Sequence, residues 1–232
     1  MEKSFIKNNG NYQKFELNQI TIEGTKIILN QMINCMCKII IDDKNTINGF
    51  FMKIPNNSIN LSLLITNKLI LNKIEKKNSF IELTMNDDKI YKKIELNNSR
   101  KIIKFLKYDI VIIEIFPKED KINDYLELDE DIFEEGEEQN LTNKNIYIIQ
   151  YPSMDKGSQI ASLSSGKIKK IQDYFICHLC GTKPGSSGSP ILKVENNKLI
   201  GIHIGGYPKK KMTKNSKKFR KRKKLILILE YI

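Results

Sequence analysis

Apolar and polar residues alternate with a period of two through most of the chain, in short runs broken by Asn, Asp, Lys and Gly. Such alternation marks strands with one buried face, and the interrupting residues are those that turns favour. The first half holds the runs Cys37–Ile41, Gly49–Ile54, Leu61–Thr66, Phe80–Thr84, Lys89–Leu96 and Ile110–Ile115. The second half repeats the pattern with Asn145–Gln150, Gln159–Leu163, Gly166–Ile171, Tyr174–His178, Ser189–Val194, Leu199–Ile204 and Leu225–Glu230. Helical spacing shows at Thr25–Asn34, ahead of the first series. The pattern predicts an all-β chain of two similar halves, each with enough strands to close a small barrel. The expected organisation is an N-terminal extension and short helix over 1–34, a first barrel over 35–120, a connection over 121–142 and a second barrel over 143–232. Within the connection, Glu127–Glu138 (ELDEDIFEEGEE) is acidic and poorly patterned, which predicts exposure.

Charge changes this picture at one place. The formal net charge is +12, and Lys209–Lys224 (KKKMTKNSKKFRKRKK) holds nine Lys, two Arg and no acid. The rest of the chain is therefore within about one charge of neutral. That run is a solvated loop between the last two strands, a nuclear-import signal, or a patch for nucleic acid or anionic lipid. With Phe219 as its single aromatic residue, base stacking is poorly served. No apolar run reaches the roughly 18 residues of a membrane span. The start, MEKSFIKNNGNYQKF, lacks the apolar core of a secretory signal. Cys35, Cys37, Cys177 and Cys180 do not have the spacing of a secreted disulfide framework. The expectation is a reduced, intracellular protein, cytoplasmic or nuclear.

One segment carries chemistry: Gly185-Ser186-Ser187-Gly188-Ser189-Pro190, followed by the apolar ILKV and then by LIGIHIGG. A Gly/Ser stretch alone reads as a loop. Here the loop runs directly into a buried strand, and a second apolar strand closes on Gly205-Gly206. The segment resembles the nucleophile loop of the trypsin-like serine proteases, Gly-Asp-Ser-Gly-Gly-Pro. The resemblance implies Ser187 as nucleophile, with the N–H groups of Gly185 and Ser187 forming an oxyanion hole. Ser186 stands where the family usually has Asp, which removes the partner for a freed N-terminus and argues against activation by clipping. Asn48-Gly49-Phe50-Phe51 resembles the Gly-Ser-Gly-Phe strand that precedes the family's histidine. Tyr108-Asp109-Ile110-Val111 resembles the Asp-Ile-Ala strand that carries the triad acid. Read alone, Asp109 is equally a turn residue; in family order it takes the acid position. The implied fold is the chymotrypsin-like pair of six-stranded antiparallel β-barrels, with the site in the cleft between them.

Between those segments the family places its histidine, in a Leu-Thr-Ala-Ala-His or Leu-Ile-Thr-Asn-Asn-His pattern. This chain reads Leu64-Ile65-Thr66-Asn67-Lys68-Leu69-Ile70-Leu71, so Leu69 falls on the histidine, and a shift of one brings Lys68 or Ile70 there. A serine hydroxyl without a base is a poor nucleophile near neutral pH. The resemblance thus implies a degenerate serine endopeptidase. The enzyme alternative is an atypical active one that uses Lys68 as base, although Lys68 is expected to point away if Leu69 points in. His178, on the strand before the nucleophile loop, is a more remote substitute.

The second histidine falls elsewhere. The same resemblance, counted from Ser187, implies that Thr182, His203 and Gly205 line the wall of the pocket for the residue before the scissile bond. The Thr–His pairing is similar to that of glutamate-specific members, which implies acidic peptide segments as partners. Read without the resemblance, His203 is a hydrogen-bonded core histidine. Cys177 and Cys180 form a C-x-x-C that Cys35 and Cys37 would complete as a zinc set, but thiols on buried strands are ordinarily inert. No cofactor or metal is expected.

Overall fold

The computed structural model describes residues 5–8, 11–14, 20–43, 45–54, 61–74, 79–133, 140–153, 159–172 and 175–205. The expected strand Leu225–Glu230 and the basic segment Lys209–Lys224 lie outside the described residues. The chain opens with a hairpin of β1 (Phe5–Asn8) and β2 (Asn11–Lys14). Helix α1 (Ile22–Asn30) starts earlier than the apolar spacing suggests, because Thr21 caps it by accepting the Gly24 N–H at 3.0 Å. It runs on as a π turn, Gln31–Cys35. That turn brings Gln31 to the second half of the molecule, where its side chain accepts from the Tyr147 hydroxyl at 2.7 Å and donates to the Asn197 carbonyl at 2.8 Å.

The first sheet contains β3 (Met36–Ile40), β4 (Thr46–Ile54), β5 (Leu61–Asn67), β6 (Ser79–Met85), β7 (Ile90–Leu96), β8 (Ile102–Phe105) and β9 (Ile110–Glu114), in the order β7-β6-β3-β4-β5-β9-β8. A two-residue strand, β10 (Leu126–Glu127), pairs in parallel with β4. The second sheet contains β11 (Asn145–Gln150), β12 (Ser162–Gln172), β13 (Phe175–His178), β14 (Ser189–Lys193) and β15 (Leu199–His203), in the order β13-β12-β11-β14-β15. Apart from β10, all neighbours on these paths are antiparallel. Both sheets curl, and the two half-barrels make the expected two-barrel, chymotrypsin-like fold.

The details depart from the alternation in three places. The expected strands 159–163 and 166–171 are one strand, β12, whose register against β13 shifts between Ile168 and Lys170. Such an irregularity bends a strand and hides its period. Strand β8 went unread because it has only four residues before its hairpin with β9. The acidic connection is not simply exposed: Leu126, Leu128 and Ile132 are buried, and buried Asp129 pairs with Lys193 at 2.7 Å. Its apolar residues grip the core while Glu127, Glu130 and Asp131 face outward.

Packing explains how the halves are joined. Phe50 and Met52 of β4 lie in an apolar cluster that continues into the second sheet through Tyr147, Ile149 and Ile191. Phe51, between them, belongs to the cluster inside the first sheet. A strand buried on both faces reads as an unbroken apolar run. Arg100, 6 % exposed, closes the first barrel's seam: it donates to Glu95 O of β7 at 2.9 Å and to Glu114 O of β9 at 2.6 Å. Its guanidinium also forks onto buried Asp120 at 2.8 and 3.0 Å.

Candidate active site

The turn at 184–188 leads into β14 and depends on two glycines. Gly185 adopts φ +89° and Gly188 φ +93°, where a Cβ is disfavoured. A Cβ on Gly188 would lie 2.2 Å from the Asn48 carbonyl oxygen, and one on Gly185 would lie 2.7 Å from Ser153 Oγ. Both residues are therefore glycine on two counts, conformation and space. The Gly188 N–H donates to His203 O at 2.8 Å, tying the turn to β15. The Ser186 N–H donates to Lys183 O at 3.2 Å, and the Ser186 hydroxyl accepts the Lys183 N–H at 3.3 Å. Ser187 is half-buried, and its Oγ lies 3.5 Å from the Ile204 carbonyl, a long bond. Among the described residues, neither the Gly185 nor the Ser187 N–H donates to a protein acceptor.

The first half contributes Asp109 and the residues after β5. Lys68–Ile70 form a 3₁₀ turn, capped by Asn67, whose side chain accepts the Leu69 N–H at 2.9 Å. Asp109 ends a second such turn, Leu106–Tyr108, with φ 62° and ψ 29°. The two turns meet: the Lys68 N–H donates to Asp109 O at 3.0 Å, and Lys68 Nζ lies 2.5 Å from Asp109 Oδ1. Lys68 was expected to point away from the site with Leu69 pointing in. Instead it sits on the Asp109 carboxylate while Leu69 is 57 % exposed. The reason is local, since successive side chains on a 3₁₀ turn diverge by about 120° and do not alternate as on a strand.

The histidines engage each other. His178 Nε2 and His203 Nδ1 are 3.2 Å apart, with ring planes at 62°. One nitrogen donates and the other accepts, so at least one ring is neutral. Burial pushes His203 down to about 4, and the charge His178 would carry adds to this. Burial also lowers His178. Thr182 is half-buried ahead of the turn, and Gly205 follows β15 with φ 142° and open space beside its Cα.

The model of the trypsin-like peptidase domain family matches residues 48–202. This chain belongs to the trypsin-like peptidase domain family. Among solved structures it is similar to Deg5, at 15% identity and a TM-score of 0.53, over 79% of this chain and 85% of that one. It is also similar to tobacco vein mottling virus protease, at 16% identity and a TM-score of 0.50, over 85% of this chain and 80% of that one. At such identities the likeness is one of fold.

In this trypsin-like peptidase domain the two halves meet at a residue that sequence reasoning noted only as part of a strand. Asn48 of β4, 1 % exposed, accepts the Tyr151 N–H at 2.7 Å and donates to the Gly185 carbonyl at 2.5 Å. Its signal was an amide inside the apolar run Ile47–Met52, since a buried amide must find partners. The four cysteines are free, and burial holds Cys35 and Cys180 up at about 12. Among the described residues, no three His, Cys, Asp or Glu side chains are placed to share a metal ion. No described helix is long and apolar enough to cross a membrane.

Proposed function

We propose that this domain is a serine endopeptidase homologue that does not cut, and that holds peptide segments in the cleft of its fold. The observation that carries this reading is the Lys68–Asp109 ion pair beside Leu69. Leu69 occupies the base position, and the neighbouring amine is committed to the carboxylate that would orient a base. An ammonium on a carboxylate has no lone pair with which to take the Ser187 proton. Loss of the base in a serine protease costs on the order of 10⁶ in turnover, about 8 kcal/mol of barrier. An active enzyme using Lys68 requires that amine to leave Asp109 and lose its proton.

Thr182, His203 and Gly205 serve in this reading as the wall that receives one peptide side chain. With His203 held down to about 4, the imidazole is neutral at pH 7 and offers a hydrogen bond without a charge. It therefore takes an acidic side chain by hydrogen bonding, and its grip does not change between pH 6 and 8. Isothermal titration with a Glu-containing peptide tests this. Wild type should bind more tightly than His203→Ala, with an affinity flat across that range. Equal affinities would contradict it. The free cysteines fit a reducing compartment, cytoplasm or nucleus.

A second reading rests on charge. Lys209–Lys224 holds nine Lys and two Arg and suits phosphate backbones or anionic headgroups. A gel shift that weakens steeply with salt and disappears on deletion of 209–224 supports it; affinity unchanged by the deletion overturns it.

A further inference from the structure

We infer that Asn48 is a positioning residue of the oxyanion turn: the first barrel, through this one amide, anchors the Gly185–Ser186 peptide that links the second barrel's two carbonyl-binding N–H groups. The inference deepens the peptide-holding reading and rests on it only for what the turn receives.

Other bonds hold the rest of the turn: the Ser153 N–H donates to Pro184 O at 2.9 Å, the Gly188 N–H to His203 O at 2.8 Å and the Ser189 N–H to Ser186 O at 3.3 Å. Gly185 and Gly188 have wide conformational freedom, and the peptide plane between Gly185 and Ser186 is held on its N–H side only from within the turn, by Lys183 O at 3.2 Å. Ser186 offers no long-range anchor, because its hydroxyl is used within the turn, by the Lys183 N–H at 3.3 Å. Asn48 supplies the anchor from the other barrel. Its Oδ1 accepts the Tyr151 N–H at 2.7 Å, which orients the amide so that Nδ2 faces carbonyls. Nδ2 then donates to Tyr151 O at 3.3 Å and to Gly185 O at 2.5 Å. Asn48's own carbonyl accepts the Thr66 hydroxyl at 2.7 Å and takes up the space a Gly188 side chain would need. One residue therefore contacts the turn at both glycines. A serine at this place, as in the family's Gly-Ser-Gly-Phe strand, is too short to span the same gap.

With the Gly185 carbonyl held inward, the Gly185 and Ser187 N–H groups stay available to a peptide carbonyl or a C-terminal carboxylate. The holding requires no proton transfer, so it survives the loss of a base.

The test is NMR on isotope-labelled full-length protein, comparing wild type with Asn48→Asp, Asn48→Ser and Thr66→Val. Asn48→Asp keeps the acceptor for Tyr151 and loses the donor to Gly185; Thr66→Val removes a neighbouring bond and leaves the Asn48 side chain intact. In both Asn48 variants, amide exchange at Ser186, whose N–H shares a peptide plane with the Gly185 carbonyl and donates to Lys183 O at 3.2 Å, should speed up about tenfold beyond that in Thr66→Val. Affinity for an N-acetylated peptide ending in a free glutamate should fall about tenfold as well. A merely structural Asn48 would lower overall stability and leave the Ser186 amide like the rest. In wild type itself, a through-hydrogen-bond coupling between Asn48 Nδ2 and the Gly185 carbonyl carbon should be detectable, and its absence overturns the inference whether or not a variant folds. A folded Asn48 variant with an unchanged Ser186 amide overturns it too. Failure of the peptide to bind wild type counts against the peptide-holding reading, while the exchange and coupling still decide Asn48.

Discussion

A carboxylate at the junction of two turns needs a donor, and for Asp109 that donor is Lys68. Both partners are about half exposed, at 46% and 41%, so the pair adds little to stability, about 0–1 kcal/mol. Its importance is for chemistry, because it competes with any imidazole placed beside it. Leu69→His alone should therefore restore little reactivity. Leu69→His combined with Lys68→Ala should label with a fluorophosphonate about 10²-fold faster than the single variant. Equal rates would show that Lys68 does not compete for Asp109. At His203 the prediction concerns pH. Its folded-state value of about 4 lies below the 6.5 of an unfolded chain. The unfolded state thus binds the proton first, and the stability present above pH 6.5 is lost as pH falls towards 4, by up to about 3 kcal/mol. Urea unfolding at pH 7 and pH 4.5 measures this loss, and His203→Gln should reduce it.

The turn and the seam show what elements add to residues. Gly188→Ala introduces a Cβ 2.2 Å from the Asn48 carbonyl at φ +93°. It should destabilise by about 3 kcal/mol, read as a shift in the denaturant midpoint. A shift below 1 kcal/mol would mean the turn relaxes away from β4. Asp120→Ala leaves the buried Arg100 guanidinium without its charge partner and should cost about 3–5 kcal/mol in the same assay. Strands in which one face is buried, such as β6 with Phe80 and Glu82 outside, were readable from period alone. Strand β4 breaks the alternation at Phe50 and Phe51, which serve different clusters, and its likeness to a family motif supported the reading of Gly49–Ile54 as a strand. The Lys68–Asp109 contact was not readable because the residues after Asn67 leave the strand for a 3₁₀ turn, a change that no alternation announces. The histidine pair was unreadable for a different reason: His178 and His203 are 25 residues apart, on strands that β12, β11 and β14 separate along the sheet, and their rings meet only once that sheet has curled.

For the whole molecule, the two-barrel fold followed from the repeated strand series and three motif segments in order, whereas the interlock between barrels did not. Asn48, Gln31 and the Asp129–Lys193 pair bind across long sequence separations that spacing does not reveal. In the proposed reading, the cleft they hold together keeps the nucleophile turn and has Leu69 where a base would stand. The most direct measurement is reaction of the pure wild-type protein with a fluorophosphonate and with a peptide library, beside Ser187→Ala. The account predicts no labelling or cleavage above the Ser187→Ala background. Labelling or cleavage that disappears in Ser187→Ala would contradict it.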